Sequence, residues 1–464
     1  MRFACKNIWS NERLKEAMMS RFFSIKELYN ESSCSHSGDK EKKNICERLH
    51  PGASISDCAL EGAFKFLSSY EDCAHLIYSS STCFTTTFIV KSSQQKHSNY
   101  FCSNLDLNDI IFGGASKLMF QLDRIVTLCQ PKVIFIYITC VTSLIGEDVN
   151  AIAQQKQHEL GVLIVPILAA GFLGAENFGA RIASMTLCEH LIGRKEPKEI
   201  TPYDVNLLSC DASSQEMKTY CALIESIGLR VLTTFGSGDS VEPIMYAHKA
   251  KLNILISAKP LATMARKMEK IWGIPWIQVS FFGKYATSDA LRTIAEVFND
   301  GKLSRNTQKV IAFEEKKLAE QLELFKDSLY AKKVLINLQG TLSWAYIPLL
   351  RELDMHVVAT SIENITEDDK EQAIRLLFGK GMFMYEPENE QMDLIEEEKI
   401  DLLITNSDNV YAAVQTKIPF LNIEKAKEKN YVGYRGILEF AYILENTLKN
   451  PLFKIVYREA PWLG

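Results

Sequence analysis

Two absences limit the partners of this chain of 464 residues. No uninterrupted apolar run approaches the roughly 18–20 residues that a membrane span requires. Basic residues are not in excess either, because 52 lysines and arginines stand against 57 aspartates and glutamates, with a formal net charge of −5. Since nucleic-acid-binding domains carry a basic face, we expect neither a membrane nor a nucleic acid as a partner.

Two sequence signals are also missing. The N-terminus, MRFACKNIWSNERLKEAMMSRFF, contains basic residues but no compact apolar core and no small-residue cleavage site, so it does not resemble a signal peptide. We therefore expect a cytoplasmic protein. The phosphate-binding pattern G-x-x-x-x-G-K-[ST] does not occur, and we expect no ATP site in this chain.

Cysteine is missing from the whole chain after Cys221, although twelve cysteines lie at or before that position. A disulfide framework is typical of small secreted domains, and this chain is long and has no recognisable secretion signal. Cysteines that serve only as small buried hydrophobic residues would be expected in both halves. The skew therefore indicates a local use of some N-terminal cysteines, with metal or cluster ligation as the leading candidate.

What the sequence does contain is a regular alternation of short apolar strands with amphipathic helices. This pattern predicts an α/β fold of βαβ units, whose parallel sheets are covered on both faces and doubly wound through right-handed crossovers. The predicted strands cover residues 133–139, 162–167, 205–209, 231–235, 253–257, 276–280, 334–338, 356–360, 402–405 and 420–423. The predicted helices cover residues 116–129, 176–192, 258–271, 288–298, 343–353 and 367–377.

The length predicts several domains, because a single hydrophobic core stops growing at roughly 250–300 residues. The first 45 residues are polar and irregular, and the charged segment GRKEPKEITP at 193–202 resembles a linker. A second change falls in the charged helical stretch 309–326. We therefore predict an irregular extension and three Rossmann-like domains, at residues 1–45, 46–200, 201–328 and 329–464.

Cys140 stands at the most informative position of the chain. It follows the β-branched and aromatic run 133–139, which predicts a buried central strand. In open α/β sheets, ligands bind off the carboxyl ends of such strands. Cys58 and Cys83 lie upstream in polar segments that we predict to be turns. Because thiolates are the usual ligands of iron–sulfur clusters, the three cysteines together suggest an iron–sulfur site.

Segments spread over about residues 50–455 carry a resemblance to a known family. They are PGASISDCALEGA, HLIYSSSTC, LDLNDIIFGGASKL, YITCVTSLIGEDVNA, GFLGAENFGARIA, MARKMEKIWGIPWIQVSFFGKYATSDALRTIA, SWAYIPLLRELDMHVVAT, DLLITN and NYVGYRGILEFA. With these segments the chain resembles the nitrogenase component 1 family, and within it the subunits that act as scaffolds for cofactor assembly. The combination of NDIIFGG with TCVTSLIGED is the specific part of the match.

The resemblance implies a subunit of three α/β domains that pairs with a homologous, N-type subunit, usually as an α2β2 heterotetramer. It also implies an iron–sulfur cluster at the interface between the paired subunits. In the scaffold type this is a [4Fe–4S] cluster with three cysteines from this subunit and one from the partner, and the three positions fall on Cys58, Cys83 and Cys140. Ligands so distant in sequence suit a cluster at a subunit seam.

The sequence departs from the family at the anchor of the large iron–sulfur cofactor. The family's anchoring cysteine aligns with Ser257, at the end of KLNILIS. A serine hydroxyl is hard and very weakly acidic, whereas iron–sulfur clusters favour thiolate. Ser257 then contacts the cluster by a hydrogen bond or as an alkoxide, or other groups hold the precursor, or the large cofactor has been lost.

A second departure concerns histidine. The catalytic nitrogenase subunit uses a histidine of its C-terminal domain as a cofactor ligand. In this sequence the last histidine is His356, and none follows in the GYRGILEF region. This absence counts against a nitrogen-reducing subunit and fits a scaffold that releases its cluster.

Three functions remain open. As a scaffold, the chain with its N-type partner would receive a transient iron–sulfur precursor and mature it into the iron–molybdenum cofactor, with electrons from the ATP-dependent nitrogenase iron protein. As a nitrogenase-like reductase component, it would pass electrons to an organic, tetrapyrrole-like substrate, which the missing cofactor cysteine favours. The third possibility is a cluster-free binding module or a glycosyltransferase-like protein, because tandem Rossmann units host many functions. The match through TCVTSLIGED and the middle domain favours the scaffold.

Overall fold

The computed structural model describes residues 58–89, 99–210, 212–238, 240–256, 259–338, 342–361, 383–385, 387–405, 410–423 and 430–456. Within these residues, thirteen strands form three sheets, and every strand pair is parallel. The predicted α/β class with parallel sheets is therefore confirmed. The predicted extension at 1–45 and the predicted helix at 367–377 lie outside the described residues.

The first sheet has the strand order β2-β1-β3-β4. Its strands are β1 (Cys73–Tyr78), β2 (Tyr100–Cys102), β3 (Val133–Ile138) and β4 (Leu163–Leu168). The chain moves from β1 to β2 on one side and returns to β3 on the other. Such a reversal of strand order is the place where α/β sheets bind ligands, beyond the carboxyl ends of the strands.

The other two sheets repeat the same construction. The second sheet has the order β6-β5-β7-β8, with strands β5 (Asp204–Leu208), β6 (Arg230–Phe235), β7 (Leu252–Ile256) and β8 (Trp276–Val279). The third has the order β11-β10-β9-β12-β13, with strands β9 (Lys333–Asn337), β10 (His356–Ser361), β11 (Phe383–Tyr385), β12 (Leu402–Thr405) and β13 (Phe420–Asn422).

Helices connect the strands. In chain order they are α1 (Ala59–Leu67), α2 (Ser81–Ile89), α3 (Leu107–Phe112), α4 (Ala115–Cys129), α5 (Cys140–Ile145), α6 (Val149–Leu160), α7 (Glu176–His190), α8 (Ser214–Ser226), α9 (Glu242–Met245), α10 (Ala262–Trp272), α11 (Lys284–Val297), α12 (Gly301–Leu322), α13 (Lys326–Leu329), α14 (Leu342–Glu352), α15 (Pro387–Glu398), α16 (Tyr411–Gln415), α17 (Gly433–Lys449) and α18 (Pro451–Val456). None of these helices combines the length and the apolar character needed to cross a membrane.

Two compact units divide the chain. One unit consists of Ser54–Phe281 and Asp289–Val310 and contains the first two sheets. The described residues of the other, which contains the third sheet, belong to Phe282–Ser288 and Ile311–Gly464. A continuous hydrophobic core explains the first unit, since Phe135 of β3 and Phe235 of β6 belong to one cluster of buried side chains. The domain boundaries at 200/201 and 328/329 fall between sheets and stay predictions.

Helices α1 and α7 pack with their backbones in direct contact. A Cβ atom built on Gly62 of α1 would lie 1.9 Å from the carbonyl oxygen of Glu176, and one built on Gly179 of α7 would lie 1.9 Å from that of Ala59. Neither position tolerates a side chain unless the helices separate. The glycines of ALEGA and ENFGARIA therefore fix the distance between two helices whose N-terminal ends lead into the candidate site.

We expect Gly179→Ala to lower the free energy of unfolding of the first unit by about 1–3 kcal/mol, because an added methyl group forces two packed backbones apart. The matched control is Gly301→Ala in the same unit, where the nearest atom to the added Cβ is the flexible end of Arg305 at 3.5 Å. That control should change the stability by no more than about 0.5 kcal/mol. Thermal unfolding monitored by circular dichroism measures both. Equal midpoints would contradict the proposed backbone contact.

Candidate functional site

Cys140 is the first residue of helix α5, directly after β3. Thr139 caps the helix, and its backbone N–H donates to the hydroxyl of Thr142 at 2.9 Å. The inner strand β3 ends beside β1, at the reversal of strand order. The position predicted for Cys140, at the carboxyl edge of a buried central strand, is confirmed.

Cys58 reaches the same region from the beginning of α1. It forms an antiparallel bridge with Ala175, and the N–H of Ala59 donates to the carbonyl oxygen of Gly174 at 3.0 Å. The backbone N–H of Cys58 donates to a carboxylate oxygen of Glu61 at 3.1 Å, which caps α1. The first turn of α1 is thereby attached to the segment between β4 and α7.

Gly171 is the point at which the two thiols meet. Its N–H donates to the Cys140 Sγ at 3.0 Å. A Cβ atom built on Gly171 would lie 3.4 Å from the Sγ of Cys140 and 3.7 Å from the Sγ of Cys58. The two sulfur atoms are therefore no farther apart than the sum of these two distances. A side chain at position 171 would fill the space that both thiols face.

The electrostatics of the two thiols are compatible with a metal centre that displaces the thiol protons. Burial raises the pKa of the Cys58 thiol, and the neighbouring Cys140 adds to that effect. A free Cys58 therefore keeps its proton at neutral pH, whereas a metal-bound thiol is deprotonated outright. The N–H of Gly171 donates a hydrogen bond to the Cys140 sulfur. Soft sulfur atoms with a backbone donor fit the needs of an iron–sulfur cluster.

These residues do not form a site for a single metal ion. Among the residues that the structure describes, no three histidine, cysteine, aspartate or glutamate side chains converge closely enough to hold one ion. The ligands of an iron–sulfur cluster bind different iron atoms and lie farther apart than the ligands of one ion. The spacing of the thiol pair is compatible with such a cluster.

Cys83 lies at the same edge of the first sheet but in a helix, and the predicted turn is wrong. It is the third residue of α2, which follows β1, and β1 is the direct neighbour of β3. Its side chain packs against the same hydrophobic core as that of Cys58. Phe84, the next residue, packs against that core as well, which a purely polar turn would not do.

Cys102 was not among the predicted site residues. It ends β2, and its Sγ accepts a hydrogen bond from the N–H of Asn104 at 3.3 Å. Burial raises the pKa of the Cys102 thiol, and the nearby Cys83 raises it further. A cysteine at the end of a strand would have indicated this position. The sequence did not predict the strand, because β2 has only three residues.

Ser257, at the family's cofactor position, lies outside the described residues. Strand β7 ends at Ile256, one residue earlier. The predicted strand 253–257 begins one residue after the start of β7, and its last residue lies outside the described part of the chain.

Exposed apolar side chains lie on the elements that carry or adjoin the thiol pair. Helix α3 packs on α5, and Phe112 and Leu144 are 83% and 77% exposed at the ends of these helices. Phe172, next to Gly171, is also exposed. Large apolar side chains grouped on a surface mark protein–protein contact sites. The two cysteines therefore border a surface that suits a protein partner.

Comparisons with known proteins agree with this architecture. The family model described as nitrogenase component 1 type oxidoreductase matches residues 58–449. The nitrogenase iron-molybdenum cofactor biosynthesis protein NifE of Nostoc sp. is 36% identical over 448 residues, which cover 94% of this chain and 93% of that protein. NifE of Klebsiella pneumoniae is 33% identical, covering 94% of this chain and 98% of that protein.

A solved structure described as nitrogenase Cp1 at pH 6.5 shares the fold. It has a TM-score of 0.75 at 22% identity and covers 89% of this chain and 92% of that chain. The predicted three-sheet nitrogenase component 1 architecture is thereby confirmed. With the family model matching most of its length and with relatives above 30% identity, the chain belongs to the nitrogenase component 1 family.

Proposed function

We propose that the chain is a scaffold subunit for assembly of the nitrogenase iron–molybdenum cofactor. The observation that carries the proposal is the convergence of the Cys58 and Cys140 thiols on Gly171, beside an exposed apolar surface. The names of its relatives supply the process, since the NifE proteins similar to this chain are cofactor biosynthesis proteins.

In this proposal, Cys58, Cys83 and Cys140 hold a [4Fe–4S] cluster at the seam with a homologous N-type subunit, which supplies the fourth ligand in a heterotetramer. When bound, the cluster supplies one-electron transfer. The chain's own residues position it: Gly171 leaves room and donates its N–H, and the packing of α1 against α7 sets the place of Cys58. The three thiols are half-buried, which leaves them accessible to a cluster that a partner would cover.

The proposal extends to the cargo. A transient iron–sulfur precursor is matured on the complex with electrons from the nitrogenase iron protein. Ser257 stands at the position of the family's anchoring cysteine, and a hydroxyl binds such a cluster more weakly than a thiolate. Weak anchoring is useful in a scaffold, because the finished cofactor has to leave.

The same serine favours a second candidate. A nitrogenase-like reductase that passes electrons to a tetrapyrrole-like substrate has no need of a cysteine for a large cofactor. The scaffold and the reductase can be distinguished by the ligand that the purified complex binds. A scaffold takes up the precursor cluster, and a reductase binds and reduces the organic substrate without it.

The first test of the cluster is Cys140→Ala in a complex purified anaerobically with its partner subunit. We expect loss of most of the resident iron and of the thiolate-to-iron absorption, because one of three ligands from this chain is removed. Cys221→Ala is the control, since Cys221 is a half-buried cysteine of α8, next to the second sheet. A wild-type complex without iron, or a Cys140→Ala complex with unchanged iron, would refute the ligand assignment.

The second test is Ser257→Cys in a complex loaded with the precursor cluster. We expect slower release of the precursor from this variant than from the wild type, because a thiolate binds iron more strongly than a hydroxyl. Ser209→Cys is the positional control, since Ser209 follows β5, the strand adjacent to β7. Iron and molybdenum retained after gel filtration are the measurement. Equal release from wild type and Ser257→Cys would place the anchor elsewhere and favour the reductase.

A further inference from the structure

Tyr78 holds both ends of the segment that carries Cys140. At the start of the segment, its carbonyl oxygen accepts hydrogen bonds from the hydroxyls of Thr139 at 3.2 Å and of Thr142 at 3.0 Å. At the end of the segment, its phenolic hydroxyl donates to a carboxylate oxygen of Glu147. One residue at the end of β1 therefore fixes residues on both sides of the Cys140 thiol.

Glu147 extends this connection to a second helix. Its other carboxylate oxygen accepts from the N–H of Gly114 and from the N–H of Ala115, the latter at 2.9 Å. These two N–H groups form the N-terminus of α4, where the helix dipole favours a negative charge. The preceding helix α3 packs on α5 and presents the exposed Phe112.

The glycine pair between α3 and α4 makes this approach possible. A Cβ atom on Gly114 would lie 2.5 Å from the Tyr78 hydroxyl oxygen, and Gly113 has a positive φ of 102°. Side chains at these positions would displace the tyrosine or strain the turn. The motifs NDIIFGG and TCVTSLIGED are therefore parts of one hydrogen-bonded arrangement.

The chemistry of the contact favours a stable hydrogen bond. Tyr78 is fully buried, and burial together with the neighbouring Glu147 carboxylate raises its pKa, so the hydroxyl remains a donor. A carboxylate that accepts from one hydroxyl and two backbone N–H groups has its charge compensated. Hydrogen bonds to an ionised acceptor are about twice as strong as neutral ones.

We propose that Tyr78 and Glu147 are positioning residues for the Cys140 thiol, and that through α4 they tie its location to the partner-facing helix α3. The inference deepens the proposed function and depends on it for the role of Cys140 as a cluster ligand. The positioning of the Cys140 thiol by these hydrogen bonds does not require iron to be bound.

The test uses Tyr78→Phe in the full chain without iron. This variant keeps the carbonyl contacts to Thr139 and Thr142 and removes only the bond to Glu147. We expect iodoacetamide to alkylate Cys140 about tenfold faster, because losing a hydrogen bond to a charged acceptor makes local opening of the segment easier. Peptide mass spectrometry gives the rate, with Cys221 in the same sample as internal reference.

Tyr70→Phe is the matched control. Tyr70 is equally buried, and its hydroxyl accepts from the N–H of Gly236 at 3.1 Å, away from the cysteine pair. Tyr70→Phe should also lower the thermal stability, and it should leave the alkylation rate of Cys140 unchanged. An unchanged Cys140 rate in Tyr78→Phe, or the same increase in Tyr70→Phe, would overturn the inference.

Glu147→Gln provides an independent variant if Tyr78→Phe does not fold. It should also accelerate alkylation of Cys140. Where Tyr78→Phe folds, the double variant should be no faster than the faster single variant, because both changes disturb the hydrogen bond between Tyr78 and Glu147. Additive effects would argue against a shared network. A wild-type complex without iron, together with faster alkylation in the variants, would refute the cluster and leave the positioning role in place.

Discussion

Close approach of backbones is the constraint on which the candidate site depends. Gly62 and Gly179 let α1 and α7 touch through their main chains, and Gly171 leaves a gap between the sulfur atoms of Cys58 and Cys140. Cys58 comes before the first strand of the sheet and Cys140 after its third. The contact of α1 with the segment around Ala175 helps to bring them to one point. A methyl group at any of these glycines would act on the site as well as on the packing.

The surroundings of the thiols explain why a protein partner belongs to the proposal. The cysteines are half-buried, and burial raises the pKa of Cys58. A protonated thiol at the edge of an apolar surface gains from a ligand that displaces its proton and from a partner that covers the surface. Tyr78 and Glu147 connect the thiol to the neighbouring surface. Their hydrogen bonds join the segment that carries Cys140 to the N-terminus of α4.

The departures from the family pattern both concern the large cofactor. A hydroxyl, as at position 257, is a weaker ligand for iron than a thiolate, and no histidine follows His356 in the sequence. The thiols proposed for the resident cluster are all present. The proposed scaffold, which would keep a small cluster and release a large one, would need this combination of strong and weak donors.

The sequence alone determined the features that follow from local pattern. The continuous apolar run of β3 marks a strand buried on both faces, and a parallel sheet places the residue after it at a ligand-binding edge, so the location of Cys140 could be predicted. The strand β1 was missed because its buried His75 interrupts the apolar run, although the imidazole bonds the hydroxyl of Tyr137 at 2.8 Å. The hydrogen bond that satisfies the buried imidazole comes from a residue distant in sequence, so no local pattern indicates it.

Tertiary structure alone decided which distant residues meet. The pairing of Cys58 with Cys140, the position of Cys102 near Cys83, and the bond from Tyr78 to Glu147 join segments that lie between 19 and 82 residues apart. Periodicity gives the face or the edge on which a residue lies, but not the residue opposite it. That choice is made by the crossovers of the sheet and by glycines that admit a neighbouring backbone, because packing distance depends on both partners at once.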